Sequence, residues 1–230
     1  MNGYKNITHK LMIAEGRERV IRICITGGIA CGKSLVGKQL FEYGIAVRDA
    51  DDICHELIVR KGPVYRKIVS AFGKRIINID GQINRKVLGR LIFSDPVKRR
   101  KLNSIIHPEV YKEIEKWISS IAYRSISGRK REHLPYLPAV AVIIPLLYEV
   151  GWQAAWDRVI CVSAPLSIQI ERLRNKGVSE QDAFARLNAQ LKVEEKMRRA
   201  DYVIFNTGTL KELNFQVRKS VQDLIKYKPK

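Results

Sequence analysis

The stretch Gly27-Gly28-Ile29-Ala30-Cys31-Gly32-Lys33-Ser34 carries the spacing G-x-x-x-x-G-K-[ST] of a phosphate-binding loop. Before it, Ile21-Arg22-Ile23-Cys24-Ile25-Thr26 is apolar and β-branched, the pattern of a buried strand. After it, Leu35, Val36, Leu40 and Phe41 fall at helical spacing. Strand, glycine loop and helix start therefore arrive in the order that aims backbone N–H groups and a helix N-terminus at one anion. Lys33 would reach the β- and γ-phosphates, and the Ser34 hydroxyl would hold Mg²⁺. A chance glycine turn is the plain alternative, and it leaves the flanking strand and helix unexplained. Ala30 and Cys31 stand where glycine or serine is expected, and Ala30 takes positive φ only at a cost.

Working outward, the chain of 230 residues suffices for one large α/β domain or a core with inserted lobes. Its 42 basic and 23 acidic residues give a net charge of +19, which favours anionic partners or reflects a generally basic surface. Cys24, Cys31, Cys54 and Cys161 form no C-x-x-C pair, so they read as reduced packing residues of a cytoplasmic protein. Cys31 is singled out, because a thiol at a helix N-terminus is expected to have a lowered pKa and to react. No apolar run is long enough to span a membrane. Residues 1–20 are charged throughout without an apolar signal core, and are expected to be a loosely ordered extension.

Downstream, Gly44 to Arg48 reads as a second strand, ending in Asp49-Ala50-Asp51-Asp52 at the sheet edge where ligands bind in open α/β sheets. One of these acids is expected to cap a helix from Ile53 to Val59. Residues 62–122 read as helices: Pro63 to Phe72, Asn84 to Phe93, Asp95 to Ile106, and a further one opened by Pro108. So long a helical run implies an inserted lobe where an acceptor would sit. The basic segment 124–138, with Arg129-Lys130-Arg131, reads as an exposed loop.

Ala139 to Ile144 is apolar without alternation, as central parallel strands are, and Pro145-Leu146-Leu147-Tyr148-Glu149 follows it. Arg158 to Val162 is another strand, with Pro165 starting the next helix. Ser179-x-x-Asp182 opens a helix expected to run to Arg199, and Asp201 to Phe205 is the last strand. Thr209-x-x-Glu212 caps a final helix with Leu210, Leu213, Val217, Val221 and Leu224 on one face. Alternating strands and helices give an α/β fold, a parallel sheet with helices on both faces. Between its last helices, Arg172, Arg174, Lys176 and Arg186 read for the most part as a solvated helical face, from which one or two cations would close over a transferring phosphoryl group.

In this order and spacing the motifs resemble the dephospho-coenzyme A kinase family, from Ile21 to about Leu224. The loop and Asp49-Ala50-Asp51 carry the resemblance with Asp80-Gly81 to Arg85, His107-Pro108, Pro145 to Glu149, Arg186 to Gln190, and Ala200-Asp201-Tyr202-Val203-Ile204 with Asn206 and Gly208. The resemblance implies a P-loop NTPase-like core over 21–60 and 139–230, a helical acceptor lobe over 61–138 and a lid over 172–190. It implies ATP and Mg²⁺, and phosphorylation of the ribose 3′-hydroxyl of dephospho-CoA in the last step of coenzyme A biosynthesis. ATP would sit on Gly28, Ile29, Ala30, Cys31, Gly32, Lys33, Ser34 and Leu35, with Ser34 on the metal. Asp51, with Asp49 near it, would orient the hydroxyl or act as base. Arg85 and His107 would shape the acceptor site, and Lys176 and Arg186 would serve as lid cations. Lys176 stands where the family has arginine, and lysine offers a point charge in place of a fork. No specific nucleic acid is expected, and the chain would be a monomer or small homo-oligomer. Another nucleoside-monophosphate or small-molecule kinase is the first alternative. A nucleotide switch or nucleic-acid-associated protein is the second, and it lacks a guanine-pairing acid and aromatic stacking platforms.

Overall fold

The computed structural model describes residues 20–59, 61–93, 95–126 and 139–226. The segment 1–19 and most of the basic 124–138 loop, including Arg129-Lys130-Arg131, lie outside the described residues. Two compact units are present: one runs to Asp49 and resumes at Ser120, and the other is Ala50–Ser119.

The first unit is built on five parallel strands in the order β2-β3-β1-β4-β5. They are β1 (Ile21–Gly27), β2 (Ala46–Asp49), β3 (Ala139–Ile143), β4 (Arg158–Ser163) and β5 (Tyr202–Phe205). Ile23 pairs with Ala141 on one side and Arg158 on the other, so β1 is central; Ile23 to Ile25 are flanked by both neighbours, and Thr26 and Gly27 continue along β4 alone. Period-two alternation sends Ile21, Ile23 and Ile25 to one face. There they join Ala139, Ala141, Ile143, Ile160 and Val162 in a core closed by Leu40 and by Leu213, Val217, Val221 and Leu224. The covering helices are α1 (Lys33–Glu42) and the C-terminal helix Leu210–Lys226. The opposite face, with Cys24 and Cys161, is packed by the short helix Val193–Arg199. Helices thus cover both faces, as the pattern predicts.

Thr209 and Glu212 form the expected reciprocal cap: the Glu212 N–H donates to Thr209 Oγ1 at 3.3 Å and the Thr209 N–H to Glu212 Oε2 at 2.7 Å. Leu210 departs from the expected stripe and is exposed. It lies in the first turn, one residue beyond the cap. At the sheet edge Gln216 takes both backbone groups of Phe205: the Phe205 N–H donates to Gln216 Oε1 at 2.8 Å, and Gln216 Nε2 donates to the Phe205 carbonyl at 2.9 Å.

The second unit contains α2 (Ala50–Leu57), α3 (Pro63–Phe72), α4 (Arg85–Phe93) and most of α5 (Pro96–Ile126). Two expectations are corrected in it. The segment between α3 and α4 is not helical throughout. Gly73 ends α3 at φ 80°, a short 3-10 turn follows, and Ile77 bridges antiparallel to Ile83 around the Asp80-Gly81 turn. Asp80 Oδ1 accepts from the Gln82 N–H at 2.9 Å, the local bond by which an Asp favours a turn over a helix. Pro108 opens no new helix and lies inside α5. A mid-helix proline costs about 3 kcal/mol. Leu102, Ile106, Val110, Ile114 and Ile118 continue one stripe across it, each at most 7% exposed. Burying each is worth about 1.5–3 kcal/mol, so the stripe outweighs the lost bond.

Candidate functional site

The loop leaves β1 at Gly27, where φ is 140° and a Cβ would come within 2.1 Å of the Val162 carbonyl oxygen on β4. Gly32 then caps α1 in the left-handed region at φ 96°. The Leu35 and Val36 N–H groups return to the Gly32 carbonyl at 3.0 and 3.2 Å, closing the first turn. That turn leaves N–H groups directed out of the helix N-terminus, the end of its dipole that favours an anion. Lys33 Nζ folds back over the loop and donates to the carbonyls of Gly27 (3.2 Å) and Gly28 (2.7 Å). Ser34 is exposed in the same turn. Ala30 does adopt the conformation that its Cβ disfavours, at φ 55°.

Behind the loop stands a wall from two other elements. The helix after β4 is α6 (Leu166–Asn175), entered through Pro165. From it Arg172 donates through NH1 to the Ala30 carbonyl and through NH2 to the Asn206 carbonyl, each at 3.1 Å. Asn206, buried just past β5, donates through Nδ2 to the Cys31 carbonyl at 2.9 Å, and its N–H donates to Ser163 at 2.8 Å. Gln169 is buried on α6 and donates to the Ala164 carbonyl at 2.8 Å. Arg172 therefore backs the loop.

At the strand ends a second network forms. Thr26 Oγ1 donates to the Pro145 carbonyl at 3.3 Å, and Lys196 Nζ donates to the same oxygen at 2.7 Å. Lys196 is fully buried and pairs with Glu149 at 2.7 Å. Glu149 Oε1 also accepts from the Leu191 N–H at 2.9 Å. This explains another correction: the helix from Ser179 does not reach Arg199. It divides into α7 (Glu180–Asn188) and α8 (Val193–Arg199). The Leu191 N–H, which a continuous helix would return four residues back, goes to Glu149 instead. Ser179 does cap α7, its Oγ accepting from the Asp182 N–H at 3.1 Å.

Lys33, Ser34 and the loop are thus brought together with Arg172 and Asn206. Asp49 is the last residue of β2, paired in register with Ile143. Lys176 caps the end of α6 and Arg186 lies in the last turn of α7, both exposed. Arg174 meets Glu180 at 3.8 Å, a surface pair of small energy. In the second unit α2 begins at Ala50, before the expected Ile53, so Asp51 and Asp52 fall in its first turn, where acids suit the dipole. Cys54, one turn on, is pushed up by burial and by Asp51 and drawn down by Arg85, which brings Asp51 and Arg85 into one neighbourhood. His107 is half-buried on α5, and burial lowers its pKa.

Cys31 overturns its expectation. The thiol is buried, and burial raises its pKa against the opposing pull of Lys33, Arg172 and the Ala164 and Gly28 backbone. The helix N-terminus does not win because the sulfur lies under the loop, away from solvent.

Sequence reasoning assigned no role to Asn206 or Lys196. Neither carries a local signal: the partners of Lys196, Glu149 and the Pro145 carbonyl, lie 47 and 51 residues earlier in the chain.

Residues 21–212 match the dephospho-CoA kinase family. The chain belongs to the dephospho-CoA kinase family. It is 42% identical over 196 residues to the dephospho-CoA kinase of Symbiobacterium thermophilum, covering 85% of this chain and 77% of that one. It is 39% identical to the enzyme of that name from Aquifex aeolicus, covering 88% and 97%. Among solved structures, a Thermus thermophilus protein superposes with TM-score 0.74 at 31% identity, covering 90% of this chain and 98% of that one. The dephospho-CoA kinase of Campylobacter jejuni superposes with TM-score 0.63 at 26% identity, covering 89% and 97%. Membership makes the chain a kinase, a transferase that uses ATP, and its parallel α/β fold agrees. No helix among the described residues is long and apolar enough to cross a membrane.

Proposed function

We propose that the chain transfers the γ-phosphoryl group of ATP to the ribose 3′-hydroxyl of dephospho-CoA, giving CoA and ADP in the cytoplasm. The observation that carries this reading is Lys33 Nζ folded over the Gly27 and Gly28 carbonyls at the mouth of a glycine loop opening α1. Phosphate oxygens entering the loop compete for that ammonium and gain the outward N–H groups of the first turn. Gly28 to Leu35 would cradle the phosphates.

The exposed Ser34 hydroxyl is a single hard oxygen donor, which fits a Mg²⁺ ion held mostly by phosphate oxygens and water. That ion would neutralise charge shared between the β- and γ-phosphates. Lys33 stabilises the charge that spreads over the transferring oxygens, and Lys176 and Arg186 on the lid add cations to it. Asp51, with Asp49, orients the acceptor hydroxyl and takes its proton as the bond to phosphorus forms. Arg85 and His107 shape the acceptor lobe over 61–138. A monomer or small homo-oligomer suffices, because this reading needs no residue from a second chain.

The test is ATP- and Mg²⁺-dependent turnover of dephospho-CoA beside AMP, CMP and adenosine, with Asp51→Asn in parallel. Turnover of dephospho-CoA alone is expected, falling about a hundredfold or more in the variant while ATP still binds. Preference for AMP or CMP would replace the acceptor, and an Asp51→Asn chain with full turnover would remove that residue from the chemistry.

A further inference from the structure

Three features converge on the peptide groups of residues 30 to 32. Ala30 is one of two non-glycine residues at positive φ among the described residues, and it lies inside the phosphate loop. Its carbonyl is taken by Arg172 NH1 at 3.1 Å, and the next carbonyl, that of Cys31, by Asn206 Nδ2 at 2.9 Å. Arg172 NH2 holds the Asn206 carbonyl at 3.1 Å, tying both donors into one unit. Asn206 Nδ2 also lies 2.1 Å from where a Cβ on Gly32 would stand, so it packs directly on the helix start.

The consequence follows from the planarity of trans peptides. In each unit the C=O and the following N–H point opposite ways. Drawing the Ala30 and Cys31 carbonyls toward the wall therefore turns the Cys31 and Gly32 N–H groups away from it, toward the inside of the loop, where the Cys31 N–H makes a long 3.4 Å bond to the Gly28 carbonyl that an entering phosphate oxygen would replace. A glycine at position 30 would reach this conformation without help. Alanine is strained there by its Cβ, and a charge-assisted bond to its carbonyl is strong enough to offset that strain.

We propose that Arg172, braced by Asn206, is a positioning residue for ATP: it holds Ala30 in the left-handed conformation that faces the loop amides toward phosphate. This rests on the ATP site of the function proposed above and is independent of the acceptor. It also separates Arg172 from the lid cations. A cation acting on the transferring group would be felt in kcat whatever residue stood at position 30. A clamp on Ala30 is felt in ATP affinity, and less once position 30 is relaxed.

The experiment is a double-mutant cycle on the full chain with Ala30→Gly, Arg172→Gln and both together. It reads the Kd of Mg-ATP by calorimetry, kcat and KM with dephospho-CoA, and the thermal midpoint without nucleotide. Arg172→Gln is expected to weaken Mg-ATP about tenfold in the Ala30 chain and about threefold or less in the Ala30→Gly background, with kcat changed less than about threefold. Equal factors in the two backgrounds, or a loss confined to kcat, would overturn the proposal. If Arg172→Gln fails to fold, Arg172→Lys keeps the charge and loses the fork. The same inequality is expected of it, and equality is again fatal. If the wild type binds Mg-ATP but leaves dephospho-CoA untouched, the acceptor reading fails while the cycle in Kd still decides this one. A wild type that binds no Mg-ATP ends both.

Discussion

Lys196→Met removes the donor that joins Pro145 to Glu149 without emptying the space that the side chain fills. Lys196 is 0% exposed, and its Nζ lies 2.7 Å from Glu149 Oε1 and 2.7 Å from the Pro145 carbonyl. Breaking a buried pair from one side costs about 3–5 kcal/mol, because the partner stays buried and uncompensated. Glu149 keeps the Leu191 N–H, its side chain is 22% exposed, and the Pro145 carbonyl keeps Thr26, so water and the remaining donors recover part of the loss. The expected cost is then about 2–3 kcal/mol, or about a 1 M fall in the urea midpoint followed by circular dichroism. Adding Glu149→Gln removes the stranded charge while keeping an oxygen for Leu191. The double variant should regain at least half of the lost midpoint, since neutral replacement of both partners is often near neutral. A single variant as stable as wild type, or a double variant that loses the sum of both changes, would refute the reasoning that an uncompensated Glu149 sets the cost.

Gly32→Ala would place a methyl group 2.1 Å from Asn206 Nδ2 at φ 96°, so Mg-ATP affinity should fall more than about tenfold with the far-UV spectrum retained. Unchanged affinity would mean that the loop can be rebuilt. His107 has a pKa lowered by burial, so above about pH 6.5 both folded and unfolded forms are neutral. As pH falls below that value the unfolded chain takes up a proton that the folded one resists. Stability should therefore drop from about pH 6.5 downward, and His107→Gln should flatten that slope in urea midpoints. Burial raises the Cys31 thiol and leaves Cys54 only half covered, so mass spectrometry after iodoacetamide at neutral pH should find Cys54 labelled first. Faster labelling of Cys31 would restore the reactive thiol expected from sequence.

The sheet and the loop were legible because each is a local pattern: β-branched runs for β1 and β3, and a fixed glycine-lysine spacing for the phosphate loop. The Thr209 cap was legible for the same reason, since its partners are three residues apart. What escaped depends on partners distant in sequence. Arg172 reads as one more cation on a basic helix until Ala30, 142 residues earlier, comes within 3.1 Å of it. Lys196 reads as solvated in a charged run until Glu149 and Pro145 enclose it. The break between α7 and α8 has no glycine or proline to mark it, because a carboxylate from another element captures the Leu191 amide. Pro108 shows the reverse case, a strong local signal overruled by the apolar stripe of α5.

The Gln216 side chain on the last helix gives the sheet margin a further property. An outer strand normally offers a row of open donors and acceptors on which another extended chain can add itself. Phe205 at the end of β5 carries a large exposed ring and would make an adhesive start for such growth. Its N–H and C=O are already occupied by one amide from the same molecule. A newcomer pairing there would have to displace two good bonds, so the end of the strand that completes this sheet is blunted as a template for polymerisation.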